Sequence, residues 1–210
     1  MTPITYFNDV WSRCDGLTNL HNHVAQHAAN PAHQAEILRA EWVARVSALD
    51  LYVHELVAQR MVEIFENTRA ATQAYGQFEI RNDTLIRIRR AANPQEARAA
   101  FDLDVREQLS RTTYQFPDEI AEGIRLFSEA ELWNDLAGHI YGGTPQQRTG
   151  NGRYLRRELT LIVRRRNTIV HEGDLEVAVP RVPLPIAPPD LAAVRTRIGD
   201  IVRAMEVVLV

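Results

Sequence analysis

Apolar residues recur at intervals of three and four positions along most of the chain, the spacing of one face of an α-helix. The longest such run extends from His33 to Asn67 and predicts a long, largely buried helix. An earlier helix is expected over about Tyr6 to Ala28. Its inward residues are expected to be Val10, Trp11, Leu17, Leu20 and Val24. Residues 78–91 predict a shorter helix with a weaker apolar period.

Proline and capping residues predict where the next helices begin. Asn93-Pro94 has the form of a cap followed by proline at the first helical position, and it opens a helix to about Arg111. Pro117 opens another helix in the same way. Ser128 and Glu131 have capping-box spacing before a further helix, because their side chains can satisfy free N–H groups in its first turn.

The last third of the chain contains a predicted loop, a helix and an extended segment. Residues 141–152, "YGGTPQQRTGNG", predict a loop by their Gly, Pro and Asn content. A helix is then expected from about Arg153 to His171, ended by Gly173 in the left-handed conformation. Residues 173–190 are rich in proline and β-branched residues, which predicts an extended segment with at most one short strand. Asp190 is expected to cap a final amphipathic helix.

These elements predict the fold class. We expect an all-α protein, a helical bundle of five to seven helices with a proline-rich extended segment before the C-terminal helix. Residues 1–210 read as a single domain, with 1–30 and 174–210 as accessory parts.

Composition narrows the classes of protein that fit. Of the 210 residues, 45% are hydrophobic and 24% charged, which is typical of a soluble globular protein. No apolar run approaches the roughly 18 residues of a membrane helix, so we expect no membrane partner. The start of the chain lacks the pattern of a signal peptide, and Cys14 stands alone, so we expect a cytoplasmic location. A net charge of −3 argues against nucleic-acid binding by the whole surface.

The helix from Arg153 to His171 departs from a plain amphipathic pattern. Its inward stripe is formed by Leu155, Leu159, Ile162 and Val163. The next position on that stripe is Arg166, where an unpaired charge on the packed side would be costly. Arg166 therefore requires a partner, a wet cleft or an interface that supplies anions. Arg164 and Arg165 lie off the stripe, where solvent suffices for both.

Asn167 and His171 lie four residues apart and share one face of this helix. We therefore expect Asn167 to hydrogen-bond the imidazole and select its tautomer. The five-residue spacing of Arg166 and His171 separates them by about 140° around the axis. A cleft between two copies of the helix suits this spacing better than a site on one helix.

The sequence "RNTIVH", residues 166–171, has the R-N-x3-H form of the R-x4-H motif of HEPN-domain ribonucleases. Together with the upstream "EWVARVSALDLYVHELV" and the ending "HEGD", it makes the chain from about His33 to Asp174 resemble the RiboL-PSP-HEPN branch of that superfamily. Some relatives carry a tyrosine two places after the histidine, where this chain has Gly173. Any role of that tyrosine is absent here or filled elsewhere.

The resemblance implies a metal-independent endoribonuclease with no cofactor, whose two protomers form one composite cleft. In that cleft Arg166 would bind and polarise the scissile phosphate, and Asn167 would make polar contacts. His171 would act in acid–base catalysis on the attacking 2′-hydroxyl or the leaving 5′-oxygen. The implied products carry a 2′,3′-cyclic phosphate and a 5′-hydroxyl. The implied partners are RNA, a second copy of the chain, and an antitoxin or other defence-system protein.

Local charge supports a surface that faces RNA. All 24 basic residues are arginine, whose planar fork suits phosphate. Seven of them lie between Arg148 and Arg166, where Glu158 is the only acid. The candidate RNA-binding residues are Arg153, Arg157, Arg164 and Arg165. A solvated helix face remains the alternative for Arg153, Arg156 and Arg157.

Two further sets of polar residues have a structural and a functional interpretation. Asp50 and His54 lie four apart on the long helix and form either a satisfied buried pair or a support behind the catalytic cleft. His23 and His27, in a cluster with His21 and His33, have the spacing of a zinc pair. No cysteine lies near them, so we favour a polar helix face and expect no metal.

A different class of function also fits the sequence. A HEPN-like bundle can serve as a non-catalytic subunit of a defence complex that binds RNA or protein, or that dimerises. A nucleotide-binding helical domain is less favoured, because the chain has no glycine-rich phosphate loop.

Overall fold

The computed structural model describes residues 1–27 and 30–209. Within these ranges the chain forms nine α-helices. They are α1 (Pro3–His27), α2 (Pro31–Phe65), α3 (Gln73–Gly76), α4 (Asn82–Arg90), α5 (Pro94–Leu109), α6 (Pro117–Arg125), α7 (Leu132–Tyr141), α8 (Pro145–Glu172) and α9 (Pro188–Val208). The predicted all-α bundle is confirmed. The helices outnumber the predicted five to seven partly because a helix as short as α3, with four residues, shows no apolar period.

The central helix is α2, which contacts α1, α5, α6, α8 and α9. Asn30 caps its first turn by accepting a hydrogen bond from Ala32 N at 3.0 Å, and Pro31 follows the cap. The apolar run predicted a buried helix here, and Val46, Leu49 and Val53 are fully buried. Each such side chain contributes about 1.5–3 kcal/mol to folding. No helix within the described ranges has the length and apolar character needed to cross a lipid bilayer.

Helix α1 forms as predicted, but its inward face differs from the prediction. The predicted end at Ala28 lies outside the described residues. Leu20 was expected to face inward, yet it is 47% exposed. The buried residues are Pro3, Phe7, Cys14 and His21, and the last three follow one another at intervals of seven. This narrow seam reflects packing chiefly against the single neighbour α2.

The predicted loop over residues 141–152 is wrong for most of its length, because α8 already begins at Pro145. Thr144 caps the helix by accepting a bond from Gln147 N, while Gln147 Oε1 accepts one from Thr144 N. Gly152 lies inside α8 because the helix meets α7 closely there. A Cβ at this position would lie 2.9 Å from the Trp133 carbonyl oxygen. The glycine marks helix packing, not a turn.

We therefore expect Gly152→Ala to lower the free energy of unfolding by about 1–3 kcal/mol, because the added methyl group overpacks the α7–α8 contact. Gly150→Ala is the matched control on the same helix. A Cβ there meets no described atom within 4 Å, so alanine should raise stability by up to about 1 kcal/mol. Urea denaturation of the two variants checks both signs. Equal stabilisation by both would show that the two helices are not tightly packed at Gly152.

The predicted end of α8 is confirmed, since Gly173 adopts a φ of 68°. The following segment is extended, with one isolated antiparallel bridge between Leu175 and Pro183. Asp190 is not the cap of α9, because the helix begins at Pro188. Asp190 instead accepts a hydrogen bond from Ala187 N at 2.8 Å from within the first turn.

The capping box predicted before α7 is also wrong, because the helix starts at Leu132, three residues later than a cap at Ser128 implies. Ser128 Oγ accepts a hydrogen bond from Ala130 N at 3.3 Å instead of from the first helical turn. Glu131, expected as the third helical residue, occupies the cap position. The Ser128 side chain therefore stabilises the turn that precedes α7.

Candidate active site

The residues of the R-N-x3-H motif lie in the last two turns of α8. Gly173 follows this helix in the left-handed conformation, and Asp174 N donates to the Thr168 carbonyl at 3.0 Å. These features close the helix with the satisfied carbonyl groups of a glycine C-cap. His171 therefore lies in the last turn of α8, next to the carbonyl end of the helix.

Arg166 is half-buried on the packed side of α8, where the apolar stripe predicted it. Its Nη1 donates to Asn167 Oδ1 at 3.1 Å, so the long side chain bends around the helix toward Asn167. Within the part of the chain that the structure describes, the buried Arg166 Nε has no hydrogen-bond partner. Among the described residues, Arg166 thus has one unused hydrogen-bond donor on the packed side of α8.

His171 is exposed at the helix end. The expected hydrogen bond from Asn167 to its ring is wrong for the described residues, because Asn167 Oδ1 is engaged by Arg166 instead. A hydrogen bond thus joins Arg166 to Asn167, and within the described residues His171 is bonded to neither of them. The bond nevertheless brings the guanidinium toward the face of α8 that carries His171.

That face of α8 carries a continuous polar stripe. Its members follow one another at intervals of four and three residues: Arg153, Arg157, Thr160, Arg164, Asn167 and His171. At 100° per residue all six fall within about 40° of one line, which runs about 27 Å along the helix. We call this set the arginine stripe. It joins three of the four predicted RNA-binding arginines to two of the three predicted catalytic residues.

Four members of the arginine stripe form one wall of a groove between α6 and α8, which has a volume of about 480 Å³: Arg153, Arg157, Thr160 and Arg164. The opposite wall is the start of α6, where Phe116, Pro117, Asp118 and Glu119 line the groove. Arg156 borders the stripe and pairs with Asp118 at 2.5 Å. Four arginines against two carboxylates leave the groove positively charged.

Arg165 does not belong to this groove. It was expected off the apolar stripe and in solvent, but its side chain is only 24% exposed and pairs with the fully buried Asp174. Arg165 Nη2 donates to Asp174 Oδ2 at 2.8 Å and to the Pro185 carbonyl at 3.1 Å. The Nε and Oδ1 atoms lie 2.7 Å apart as an ion pair without hydrogen-bond alignment. These contacts favour a structural role over RNA binding.

Asp174 has a second arginine, which sequence reasoning missed. Arg39 of α2 donates from Nε to Asp174 Oδ2 at 2.8 Å and from Nη2 to the Leu184 carbonyl at 2.7 Å. We call Asp174, Arg39 and Arg165 the Asp174 clamp. It ties the end of α8 and the proline-rich segment to α2, three residues from His171. The available signal was Arg39, a charge within the apolar run of α2.

Asp50 and His54 lie on α2 and contact the connection between α5 and α6. Asp50 accepts hydrogen bonds from Tyr114 N at 2.6 Å and Gln115 Nε2 at 3.1 Å. His54 Nε2 lies 3.6 Å from Asp50 Oδ1, and its ring packs edge-on against Tyr114. Burial raises the pKa of Tyr114 to about 12, with smaller effects of Glu122 and Asp50. No hydrogen bond among the described residues links this pair to the motif on α8.

The pair Asp50–His54 therefore stabilises the loop that leads into Phe116 and Pro117. It shapes one wall of the groove and does not stand behind Arg166 and His171.

The N-terminal histidines form a stacked pair. The rings of His23 and His27 stack at 4.4 Å, and His27 Nδ1 lies 2.8 Å from the His23 carbonyl oxygen. In residues 1–27 and 30–209, no three His, Cys, Asp or Glu side chains converge as ligands for a metal ion.

Comparisons of the chain with protein families, with curated proteins and with solved structures found no match. The resemblance to HEPN ribonucleases thus depends on the motif and its place in an all-α chain.

Proposed function

We propose that the protein is a metal-independent endoribonuclease of HEPN type. It cleaves RNA by attack of a 2′-hydroxyl on the adjacent phosphate, at a site that two copies of the chain form together. A toxin or anti-phage defence system, with an antitoxin or other partner protein, is the setting that the resemblance implies. The observation that carries the proposal is that Arg166, half-buried, and His171, exposed, lie at the same helix end with the spacing of the R-x4-H motif.

Each residue has a role that its chemistry permits. The Arg166 guanidinium stabilises the negative charge that grows on the phosphate oxygens as the 2′-oxygen attacks. Asn167 fixes that guanidinium through the 3.1 Å hydrogen bond. His171 accepts a proton from one reacting oxygen or donates a proton to the other, as general acid–base catalysis requires.

The reaction requires one proton acceptor and one proton donor. The attacking 2′-hydroxyl loses its proton, and the leaving 5′-oxygen gains one. Two copies of His171 supply one neutral and one protonated ring, and so divide the two tasks. A homodimer that brings the two α8 ends together therefore provides the whole set of groups.

A non-catalytic RNA-binding subunit is the second candidate. The arginine stripe favours it, since binding needs the stripe whereas the bond-breaking step needs only the residues at its end. RNA binding without cleavage by the purified protein would decide for this candidate.

The metal-free mechanism predicts that the purified protein cleaves RNA at the same rate with and without excess EDTA. Arginine and histidine supply the charge and the protons, so a chelator removes nothing that the reaction uses. Gel analysis of a labelled RNA measures both rates. Loss of cleavage in EDTA, restored by a divalent ion, would reject the mechanism.

A further inference from the structure

The arginines of α8 divide into two sets. Those off the arginine stripe are bound within the chain: Arg148 to the Gly143 carbonyl, Arg156 to Asp118, Arg165 to Asp174 and Arg166 to Asn167. Those on the stripe are Arg153, Arg157 and Arg164, and none of the three forms an ion pair or side-chain hydrogen bond with any described residue. The unpaired arginines are therefore the ones that share a face.

Like charges at this spacing repel one another. Arg153 and Arg157 are four residues apart, and Arg164 follows one heptad later on the same line. Such pairs destabilise a helix unless an anion lies between them. A polyanion with repeating charges is complementary to these three arginines, which span about 17 Å of the helix.

The opposite wall of the groove suits a base. The half-buried ring of Phe116 and the ring of Pro117 form an apolar surface across from the arginines. Beside them Glu119 lines the groove, and its Oε2 is buried without a hydrogen-bond donor among the described residues. The Glu119 carboxylate on this wall of the groove is an acceptor that suits the amino group of a cytosine or adenine.

We infer that the groove between α6 and α8 is a subsite that holds the RNA strand next to Arg166 and His171, the catalytic pair. Phosphates lie on Arg153, Arg157 and Arg164. One base packs against Phe116, and its amino group donates a hydrogen bond to Glu119. This inference depends on the proposed function for the identity of the ligand as RNA. A basic wall for phosphates and an apolar wall for bases is the arrangement by which proteins bind unpaired strands.

The position of the groove relative to the cut follows from the spacing along the arginine stripe. His171 lies seven residues beyond Arg164 on the stripe, a distance of about 10 Å along the helix. The strand that occupies the groove therefore leads directly to the catalytic pair, and the groove reads a base one or a few nucleotides from the cut.

Binding by the full-length protein tests the subsite. The probe is a fluorescent single-stranded RNA of about 12 nucleotides, and His171→Ala is present in every variant so that the probe stays intact. The double variant Arg153→Glu, Arg157→Glu should weaken binding by at least about tenfold and lower the salt slope by about 1.4, the value for two lost phosphate contacts. Both residues are exposed, so we expect the variant to fold. Circular dichroism checks this expectation.

The matched control is Arg89→Glu, Arg90→Glu on α4, which makes the same change in net charge at two exposed arginines. The control should bind the RNA within about threefold of the parent. Equal weakening by both double variants, or no weakening by the groove variant, would overturn the subsite.

The base contact has its own readout. Oligocytidine should bind about fivefold tighter than oligouridine, because only cytosine offers an amino group to Glu119. Glu119→Gln should reduce this preference. If the preference is absent or survives that substitution, Glu119 does not read the base. The binding results do not depend on cleavage, so an inactive wild type would count against the proposed ribonuclease and not against the groove.

Discussion

Replacing His171 with alanine is expected to abolish RNA cleavage, lowering the rate by roughly 10²–10⁴-fold. The imidazole is the group in the proposed site that accepts and donates protons at the reacting oxygens. Its side chain is exposed at the end of α8, so its removal leaves the core intact. Cleavage of a labelled RNA and thermal melting, measured on the same preparation, separate loss of chemistry from loss of fold. Arg166→Ala should abolish cleavage as well.

The matched control for this variant is His139→Ala. His139 is also an exposed histidine in the last turn of a helix, α7, but it lies outside the groove and the motif. The control should cleave RNA at the wild-type rate. Wild-type cleavage by the His171 variant, or an equal loss in the control, would contradict the assignment of His171.

Asp174→Asn is expected to lower the free energy of unfolding by about 3–5 kcal/mol, because it leaves two arginines beside a neutral buried side chain. Asp174 is fully buried, and Arg39 is only 6% exposed. Asparagine tolerates the positive φ of 56° at this position, so the substitution changes charge more than backbone. The corresponding fall in Tm for a chain of this size is roughly 6–20 °C.

The control for the Asp174 clamp is Asp9→Asn in α1. Asp9 pairs with Arg13 at 3.1 Å, but both side chains are about 70% exposed. Solvent screens this pair, so its loss should cost less than about 1 kcal/mol. Differential scanning calorimetry compares the two variants. A melting temperature of Asp174→Asn within a degree of the control would show that the Asp174 clamp does not hold α8 to α2.

Much of the architecture could be predicted because apolar spacing records which helix faces are buried. The apolar run of α2 and the amphipathic pattern after Asp190 predict the helices α2 and α9 directly. Gly173 marks the end of α8. Arg166 stood out for the same reason, since a charge on a packed face breaks the period. These features depend on neighbours within a few turns, which one sequence contains.

Contacts between distant segments were not accessible in this way. The Gly, Pro and Asn content of residues 141–152 predicts a loop at Gly152. It does not show that α8 approaches the Trp133 backbone closely there. The helical period places Arg165 in solvent. Residues near it in the sequence do not show that Asp174 is buried and pairs with both Arg165 and Arg39. The arginine stripe was visible in the spacing of α8, but the opposite wall at Phe116 depends on where α6 packs.

The product ends of a cleaved RNA test the proposed ribonuclease most directly. Purified wild-type protein is incubated with a single-stranded RNA in EDTA, and mass spectrometry identifies the termini of the fragments. Attack by a 2′-hydroxyl predicts fragments with a 2′,3′-cyclic phosphate at one end and a 5′-hydroxyl at the other. Intact RNA, or fragments with a 3′-hydroxyl and a 5′-phosphate, would contradict the account.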